Sequence, residues 1–554
     1  MSPTAVYCLL AWAKISRWVA TLCKNPNTRV PVLGLAVTFS LAFFAVACAF
    51  IPYAGIQNDE ALFANPIYQN DMEFGPRILH HRVPFMILTY LGALKTLVYW
   101  PILRIFPANA YTVRVPVVII GALTVFVFFY LADTLGGRRA AWTGTALLAT
   151  DPTFLLTGTF DWGPVAFDHI LLVTGVLALV KFHQGRWQNN RWLATGYFLF
   201  GLALWNKALF LWTLTGLVIA TATVCAREVR SVLDARRARI AAAAFIIGAS
   251  PFILYNITKH NETLRTSAKL EIPNWSTKFV QLQGGLAGST LFGYIVSPDT
   301  REHPKEPQVP TGRLVSAVRV RLGEHTRGLE DFAALACLVA VPIWWKSRPA
   351  RFSLVFCVIA WLMMAITKDA GASAHHVVLL WPFPQLFIGL TLAAIPWRAV
   401  WGGLTLALAL ANLLVINQYL FQIERDGPDV VFTDAIYGLA VALGSHPSET
   451  IYVTDWGMQN SLALLSKGRL KLEIAERDFG SDDIGPDQRR HIAKMASDRA
   501  AIFIGHVAGQ EIFPGSRERV IGAAGGAGLR KQVIQIVSDS NGRPAFEIFR
   551  WVAG

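Results

Sequence analysis

Charge is what this chain has least of. Of its 554 residues only 16% are Asp, Glu, Lys or Arg, whereas 54% are hydrophobic, and the mean hydropathy is +0.42. A soluble domain of this length does not need so much apolar surface, so a purely soluble protein is excluded. Cysteine is also sparse. The six (Cys8, Cys23, Cys48, Cys225, Cys337 and Cys357) fall in or beside apolar runs or in the N-terminal segment. None lies in the long polar loops, which argues against a disulfide framework or a cysteine metal cluster. There is no P-loop and no dinucleotide fingerprint, and the glycine-rich GAAGGAGLR at 522–530 lacks a strand–turn–helix setting and reads as loop. Met1 to Ser16 is short and carries no basic stretch ahead of its apolar part, so no cleavable signal peptide is expected. No long internal repeat and no low-complexity tract is visible.

What the chain has is a series of long apolar runs continuing to residue 422. They predict a polytopic α-helical membrane protein. Spans are expected near 31–54, 111–134, 140–158, 164–183, 192–206, 207–226, 239–257, 330–346, 352–367, 375–394 and 398–422. Basic residues cluster in short loops between them. Lys14, Arg17, Lys24 and Arg29 precede the first span and predict a cytoplasmic N-terminus. Arg138 and Arg139, the group Lys181, Arg186 and Arg191, the group Arg227 to Arg239, and Lys346, Arg348 and Arg351 mark further cytoplasmic loops. The stretch 84–104 is ambiguous: as a full span it would invert several of these loops. An unpaired Lys95 in its middle and Pro101 near its end favour a juxtamembrane or re-entrant helix. That reading gives about eleven spans. The net charge of +14 is then explained by basic loops beside anionic lipid headgroups, and no nucleic acid partner is implied.

Residues 425–554 differ in kind. TIYVTD (450–455) and AAIFIGH (500–506) read as buried strands, and 434–444 and 487–498 as helices. Their alternation predicts a small soluble α/β domain following the transmembrane domain 1–424, on the extracytoplasmic side. The same topology gathers one set of polar segments on that face. They are the loop 55–83, the turn at Asp161, the turn at Asn206–Lys207, the large loop 258–329 (a candidate lid) and the turn 368–376.

The acidic pair Asp59–Glu60 follows the first span directly, in a loop that also holds Asp71, Glu73, Arg77, His80, His81 and Arg82. Membrane-edge anchors are usually Lys, Arg, Trp or Tyr, so carboxylates there suit a reaction site better than an anchor. The plainer alternative is a helix N-cap. Carboxylates beside basic groups fit a general base next to a phosphate site. In FDWGPVAFDH (160–169), Asp161 is either a plain turn residue or a second functional carboxylate, and Asp168 and His169 lie deeper. Lys207 interrupts a long apolar run, as a snorkelling lysine or a point charge for phosphate. Lys368, His375 and His376 stand at the mouth of a span. Adjacent histidines cannot both face one ligand from a helix, so hydrogen bonds to a phosphate or sugar suit them better than metal.

The order of these segments resembles a family. An acidic pair after the first span is followed by HHRVP (80–84), TVRVP (112–116), a GGRR loop, FDWGP, WNKA and the TK…HH…WPFPQ mouth. Over about residues 30–395 this is similar to the GT-C glycosyltransferases of the protein O-mannosyltransferase and aminoarabinose-transferase type. The resemblance implies a GT-C-like fold and inverting transfer of a monosaccharide from a polyprenyl-phosphate donor to an acceptor hydroxyl. It implies catalytic roles for Asp59, Glu60 and Asp161, with Asp59 the base, although the Arg usually found just before the later acidic residue is lacking. Arg77, His81, Arg82, Lys207, Lys368, His375 and His376 would meet the donor phosphate, His81 standing in a departed form of the family's HPP-type stretch. No cofactor is required; a divalent metal is compatible with this chemistry but has no supporting ligand spacing. The acceptor stays open between lipid, glycan and protein, and the expected location is a bacterial inner (plasma) membrane. Two rivals remain. A transporter or flippase would place ionisable residues at mid-bilayer and show repeat symmetry. A membrane-anchored binding or assembly protein would work through its C-terminal domain.

Overall fold

A computed structural model describes residues 30–69, 72–78, 81–267, 269–270, 274–297, 303–368, 370–479, 485–526 and 528–554. Lys14, Arg17, Lys24, Arg29, Cys8, Cys23, Asp71, His80 and parts of the loop 258–329 lie outside the described residues.

The first apolar run forms α1 (Val30–Phe50) and leads into a short acidic helix, α2 (Asn58–Leu62). Two small hairpins follow: β1 (Arg77–Ile78) with β2 (His81–Arg82), and β3 (Met86–Leu88) with β4 (Leu91–Gly92). Next is α3 (Leu94–Ile105), of 12 residues. At 1.5 Å per residue it reaches about 18 Å, too short to cross a bilayer. The stretch 84–104 is therefore hairpin plus short helix rather than a span.

Helix α4 (Ala110–Thr150) is 41 residues long, but Gly137, with φ 73 and ψ −176, breaks it within the GGRR loop. Only glycine adopts that conformation readily, and it divides two apolar segments where the sequence placed a turn. Asp151 caps α5 (Pro152–Phe160) through Phe154 N–H at 2.7 Å. Then come α6 (Val165–Gln184), α7 (Asn190–Asn206), α8 (Phe210–Val224), α9 (Ala226–Val232) and α10 (Ala235–Thr258). The expected loop 258–329 carries α11 (Trp275–Leu286) and α12 (Pro310–Leu322). It is not wholly outside the fold, since Leu291, Ile295 and Val296 are buried in the main core. The membrane part closes with α13 (Glu330–Val339), α14 (Arg348–Ile366), α15 (Ala374–Val377), α16 (Phe383–Ala393) and α17 (Arg398–Arg425). Among the described residues, six helices are long and apolar enough to cross a membrane, or up to eight if each of two bent helix pairs is one span. The chain is an integral, multi-pass membrane protein.

The C-terminal segment starts with α18 (Ala435–Leu443) and builds a five-stranded sheet. Its strands are β5 (Thr450–Val453), β6 (Lys471–Ile474), β7 (Ile502–His506), β8 (Leu529–Ser538) and β9 (Pro544–Ala553), in the order β6-β5-β7-β9-β8. β5, β6 and β7 are parallel; β9 and β8 run antiparallel to their neighbours. Helices α19 (Gln459–Leu465), α20 (Pro486–Ser497) and α21 (Ser516–Gly525) connect them. The glycine-rich 522–530 is not simply loop: it ends α21 and enters β8. Small residues suit a helix end facing a sheet, and the missing hydrophobic periodicity hid this.

Candidate functional site

The acidic pair separates into two roles at the level of geometry. Gln57 caps α2, accepting from Asp59 N–H (2.6 Å) and Glu60 N–H (3.2 Å), while Glu60 Oε2 accepts from Gln57 N–H at 2.9 Å. Glu60 is buried and faces Arg114, which donates Nε to Oε1 (2.9 Å) and Nη2 to Oε2 (2.8 Å). The same guanidinium donates to the carbonyls of Ile51, Ala54 and Gly55 and lies 4.7 Å from the Phe160 ring centroid. Arg114 thus ties the end of α1, the acidic helix and α5 into one unit. Glu60 is fully committed to that tie, which departs from the catalytic role the resemblance gives it.

Asp59 points elsewhere. It is half-buried, and among the described residues its side chain takes a hydrogen bond from Asn58 Nδ2 at 3.3 Å. Burial pushes its carboxyl up to about 6; the Asn58 contact and the positive charge of Lys95 oppose this without cancelling it. The hydroxyls of Tyr90 and Tyr294 are raised, first by burial and then by the charge of Asp59.

Lys95 is not the unpaired lysine the sequence suggested. Its Nζ sits 2.9 Å from Asp161 Oδ2, donates to the Asp161 carbonyl at 2.7 Å, and is buried against the Phe63 and Tyr99 rings. Asp161 caps α5 with φ 23 and ψ 50, a left-handed conformation that costs a non-glycine residue about 1–3 kcal/mol. Lys95 and the Ala166 N–H, which donates to Asp161 Oδ1 at 3.1 Å, hold it there.

The FDWGP turn is also gripped from its other side. Lys207 is buried rather than snorkelling, and Nζ donates to the Gly163 carbonyl (2.9 Å) and the His375 carbonyl (3.4 Å). Gly163 must be glycine, because a Cβ there would lie 2.8 Å from the His375 ring. Trp162 donates Nε1 to His375 Nδ1 at 3.0 Å and packs its ring near Tyr294 and Phe432. Asn206 donates to Asp168 Oδ1 and to the Pro164 carbonyl, both at 2.9 Å. His376 packs edge-on to Trp212, and His169 Nε2 lies 2.7 Å from the Val378 carbonyl.

The fold therefore brings Asp59, Glu60, Asp161, Lys207, His375 and His376 into one buried neighbourhood. Arg77 and Arg82 instead pair across the exposed β1–β2 hairpin, where His81 also sits on β2. Lys368 is exposed, its backbone N–H bonded to the Lys269 carbonyl. Sequence reasoning missed Lys95, Arg114, Tyr90 and Tyr294 as members. A basic residue inside an apolar run, as Lys95 and Arg114 both are, was the available signal. The C-terminal domain closes on this neighbourhood. Asn460 N–H donates to Asn58 Oδ1 (2.9 Å), Ser461 Oγ to the Ile56 carbonyl (2.8 Å), and Asn65 Nδ2 to Asn460 Oδ1 (3.0 Å).

No protein-family model matches the chain, and no curated protein matches it in sequence. Solved structures do match in fold. ArnT from Cupriavidus metallidurans bound to undecaprenyl phosphate superposes with a TM-score of 0.56 at 12% identity, covering 94% of this chain and 98% of that one. The apo state of the same protein gives 0.55 at 13% identity, over 93% and 97% of the two chains. The Archaeoglobus fulgidus oligosaccharyltransferase in complex with Zn and sulfate gives 0.51 at 13% identity, covering 86% of this chain and 68% of that one. The chain shares the fold of these structures, and it ends in a small C-terminal sheet domain.

Proposed function

We propose that the protein is an inverting glycosyltransferase that moves a monosaccharide from a polyprenyl-phosphate donor to an acceptor hydroxyl on the extracytoplasmic face. The observation that carries this is Asp59. It is a half-buried carboxylate raised to about 6, beside the buried Lys95–Asp161 pair, in a GT-C fold. A base works best with a pKa near the operating pH, and burial moves Asp59 toward it. The fold of the ArnT structure that holds undecaprenyl phosphate supports a donor of that class.

In this reading Asp59 takes the proton of the acceptor hydroxyl as its oxygen bonds to the anomeric carbon. The bond from that carbon to the phosphate oxygen breaks on the opposite face, and its electron pair leaves with the lipid phosphate. Lys207 and the His375–His376 pair lie on the phosphate side, and Lys368, Arg77, His81 and Arg82 meet the headgroup as it enters. Amines, guanidiniums and imidazoles then meet the developing charge, so no metal is required. Glu60 and Asp161 act as positioning residues through Arg114 and Lys95.

The test is release of polyprenyl phosphate from a panel of polyprenyl-phosphate sugars, comparing wild type with Asp59→Asn. Release from one donor by wild type, lost in the variant, supports both the activity and the base. No release from any donor would overturn the reading in favour of transport or assembly.

A further inference from the structure

Helices α5, α13, α16 and α17 meet at a polar cluster inside the apolar bundle, built from none of the residues around Asp59. Asp151 stands at the joint of α4 and α5, between the GGRR turn and the FDWGP turn. Glu330 opens α13, Gln385 lies in the first turn of α16, and Asn412 lies midway along α17. All four fall in apolar runs that predict spans, and all four are 0% exposed. Ionisable groups at such depth are costly and persist where they have a partner or a task.

One amide ties the cluster together. Gln385 Nε2 donates to Asp151 Oδ2 at 2.8 Å and to Glu330 Oε2 at 3.0 Å, so both of its hydrogens are spent on carboxylates. Asp151 also accepts from Trp381 Nε1 and from Phe154 N–H, both at 2.7 Å. Glu330 Oε1 accepts from Asn412 Nδ2. Every one of these donors is neutral. Among the described residues neither carboxylate has an ion pair with Lys, Arg or His. Asp331, beside Glu330, is itself a carboxylate and is paired with Arg327, while α16 and α17 bring only amides to this point. A second observation points the same way. Gln385 Oε1 and Asn412 Oδ1, the oxygens of the two amides that grip the carboxylates, have no hydrogen-bond partner among the described residues. A buried oxygen left so costs about 1–3 kcal/mol.

Two full negative charges cannot stay bridged by a single amide nitrogen in such a medium. Like unit charges about 5 Å apart repel by about 3 kcal/mol at an effective dielectric of 20. Desolvation adds several kcal/mol for each ion. Asp151 caps α5 and Glu330 opens α13, and each helix N-terminus supplies roughly half a positive charge. Together they offset about one of the two negative charges. Asp151, with three donors, is the better supported anion; Glu330, with two amides, carries the remainder. That remainder is one unit of charge, beside two free amide oxygens. A divalent ion asks for six or more oxygen ligands, and soft metals ask for sulfur. A single monovalent cation matches both the charge and the oxygens.

We propose that Glu330, with Asp151 and the amides of Gln385 and Asn412, holds one monovalent cation, a proton or Na⁺, which joins α5 to α13, α16 and α17. The experiment uses the full-length protein in detergent micelles at pH 7, with ionic strength held by choline chloride. Binding of radioactive sodium reads the alkali ion. Difference infrared spectroscopy reads the carbonyl stretch of a protonated carboxyl. Wild type, Glu330→Gln, the double variant Asp151→Asn/Glu330→Gln and Asp59→Asn are compared. Wild type is expected to give a signal with one of the two probes. Glu330→Gln is expected to lose it, as sodium affinity weakened about tenfold or more or as a vanished carbonyl band. Asp59→Asn is expected to keep it, which separates the signal from the Asp59 carboxyl. If Glu330→Gln does not fold, the double variant, with both charges replaced by amides of the same shape, decides the matter. Bound sodium identifies the alkali ion, and the carbonyl band identifies the proton. No signal in wild type, or a signal that survives the loss of Glu330, would overturn the proposal. The site stands apart from the glycosyl-transfer reading, which polyprenyl-phosphate release tests separately.

Discussion

Arg114 holds Glu60 with two parallel hydrogen bonds while donating to three carbonyls at the end of α1. Both side chains are buried. Removing one partner leaves the other charge stranded in a low-dielectric interior, at a cost of about 3–5 kcal/mol. Arg114→Met and Glu60→Gln are therefore expected to lower the thermal midpoint of the purified protein sharply and to reduce its yield. A variant with normal stability and lost turnover would assign Glu60 a direct chemical role instead.

Asp59→Asn is expected to behave in the opposite way. Among the described residues the side chain makes one long hydrogen bond, and its charge is disfavoured by burial. Stability should hold or rise, while the transfer rate falls by about 10²–10⁴-fold, the usual contribution of a positioned base. Turnover and thermal unfolding measured on one preparation separate the two effects. An unchanged rate removes Asp59 as the base and makes Asp161 the next residue to test.

The pH dependence follows from the same carboxyl. Only ionised Asp59 accepts a proton, and its folded value is about 6 against an ordinary 3.8. The rate should rise with pH up to about 6, about tenfold per unit on the acid side, and then level off. Stability has the other sign. The folded protein holds this proton more tightly than the unfolded chain, so the Asp59 contribution is complete below about pH 4 and lost as pH rises through about 6. Asp59→Asn should remove both dependences.

Lys95 and Asp161 offer a coupling test. Lys95→Met leaves Asp161 buried and unpaired in a strained turn. The single variant should cost about 3–5 kcal/mol, and adding Asp161→Asn should recover part of that. A double-mutant cycle is expected to give a coupling of about 1–3 kcal/mol. Additive effects would show that the two residues act independently.

Much of this protein is legible in its sequence, for a physical reason. Apolar runs long enough to cross a bilayer have few alternatives to helices, since unpaired backbone groups are too costly in lipid. TIYVTD and AAIFIGH declared themselves as strands, and Gly137 falls within the GGRR turn the sequence predicted. The order of acidic and basic segments also pointed to the fold that this chain shares with the ArnT structures. The partnerships were not legible. Lys95 and Asp161 are 66 residues apart, Arg114 and Glu60 are 54 apart, and Trp162 and His375 are 213 apart. A buried charge must find an opposite one, but local pattern does not say which, because the match is made only when helices pack. Tertiary structure alone separated Glu60, consumed by Arg114, from Asp59, left half-buried with its carboxyl raised. It alone set Arg77 and Arg82 on an exposed hairpin, and it alone closed the C-terminal domain over the acidic helix.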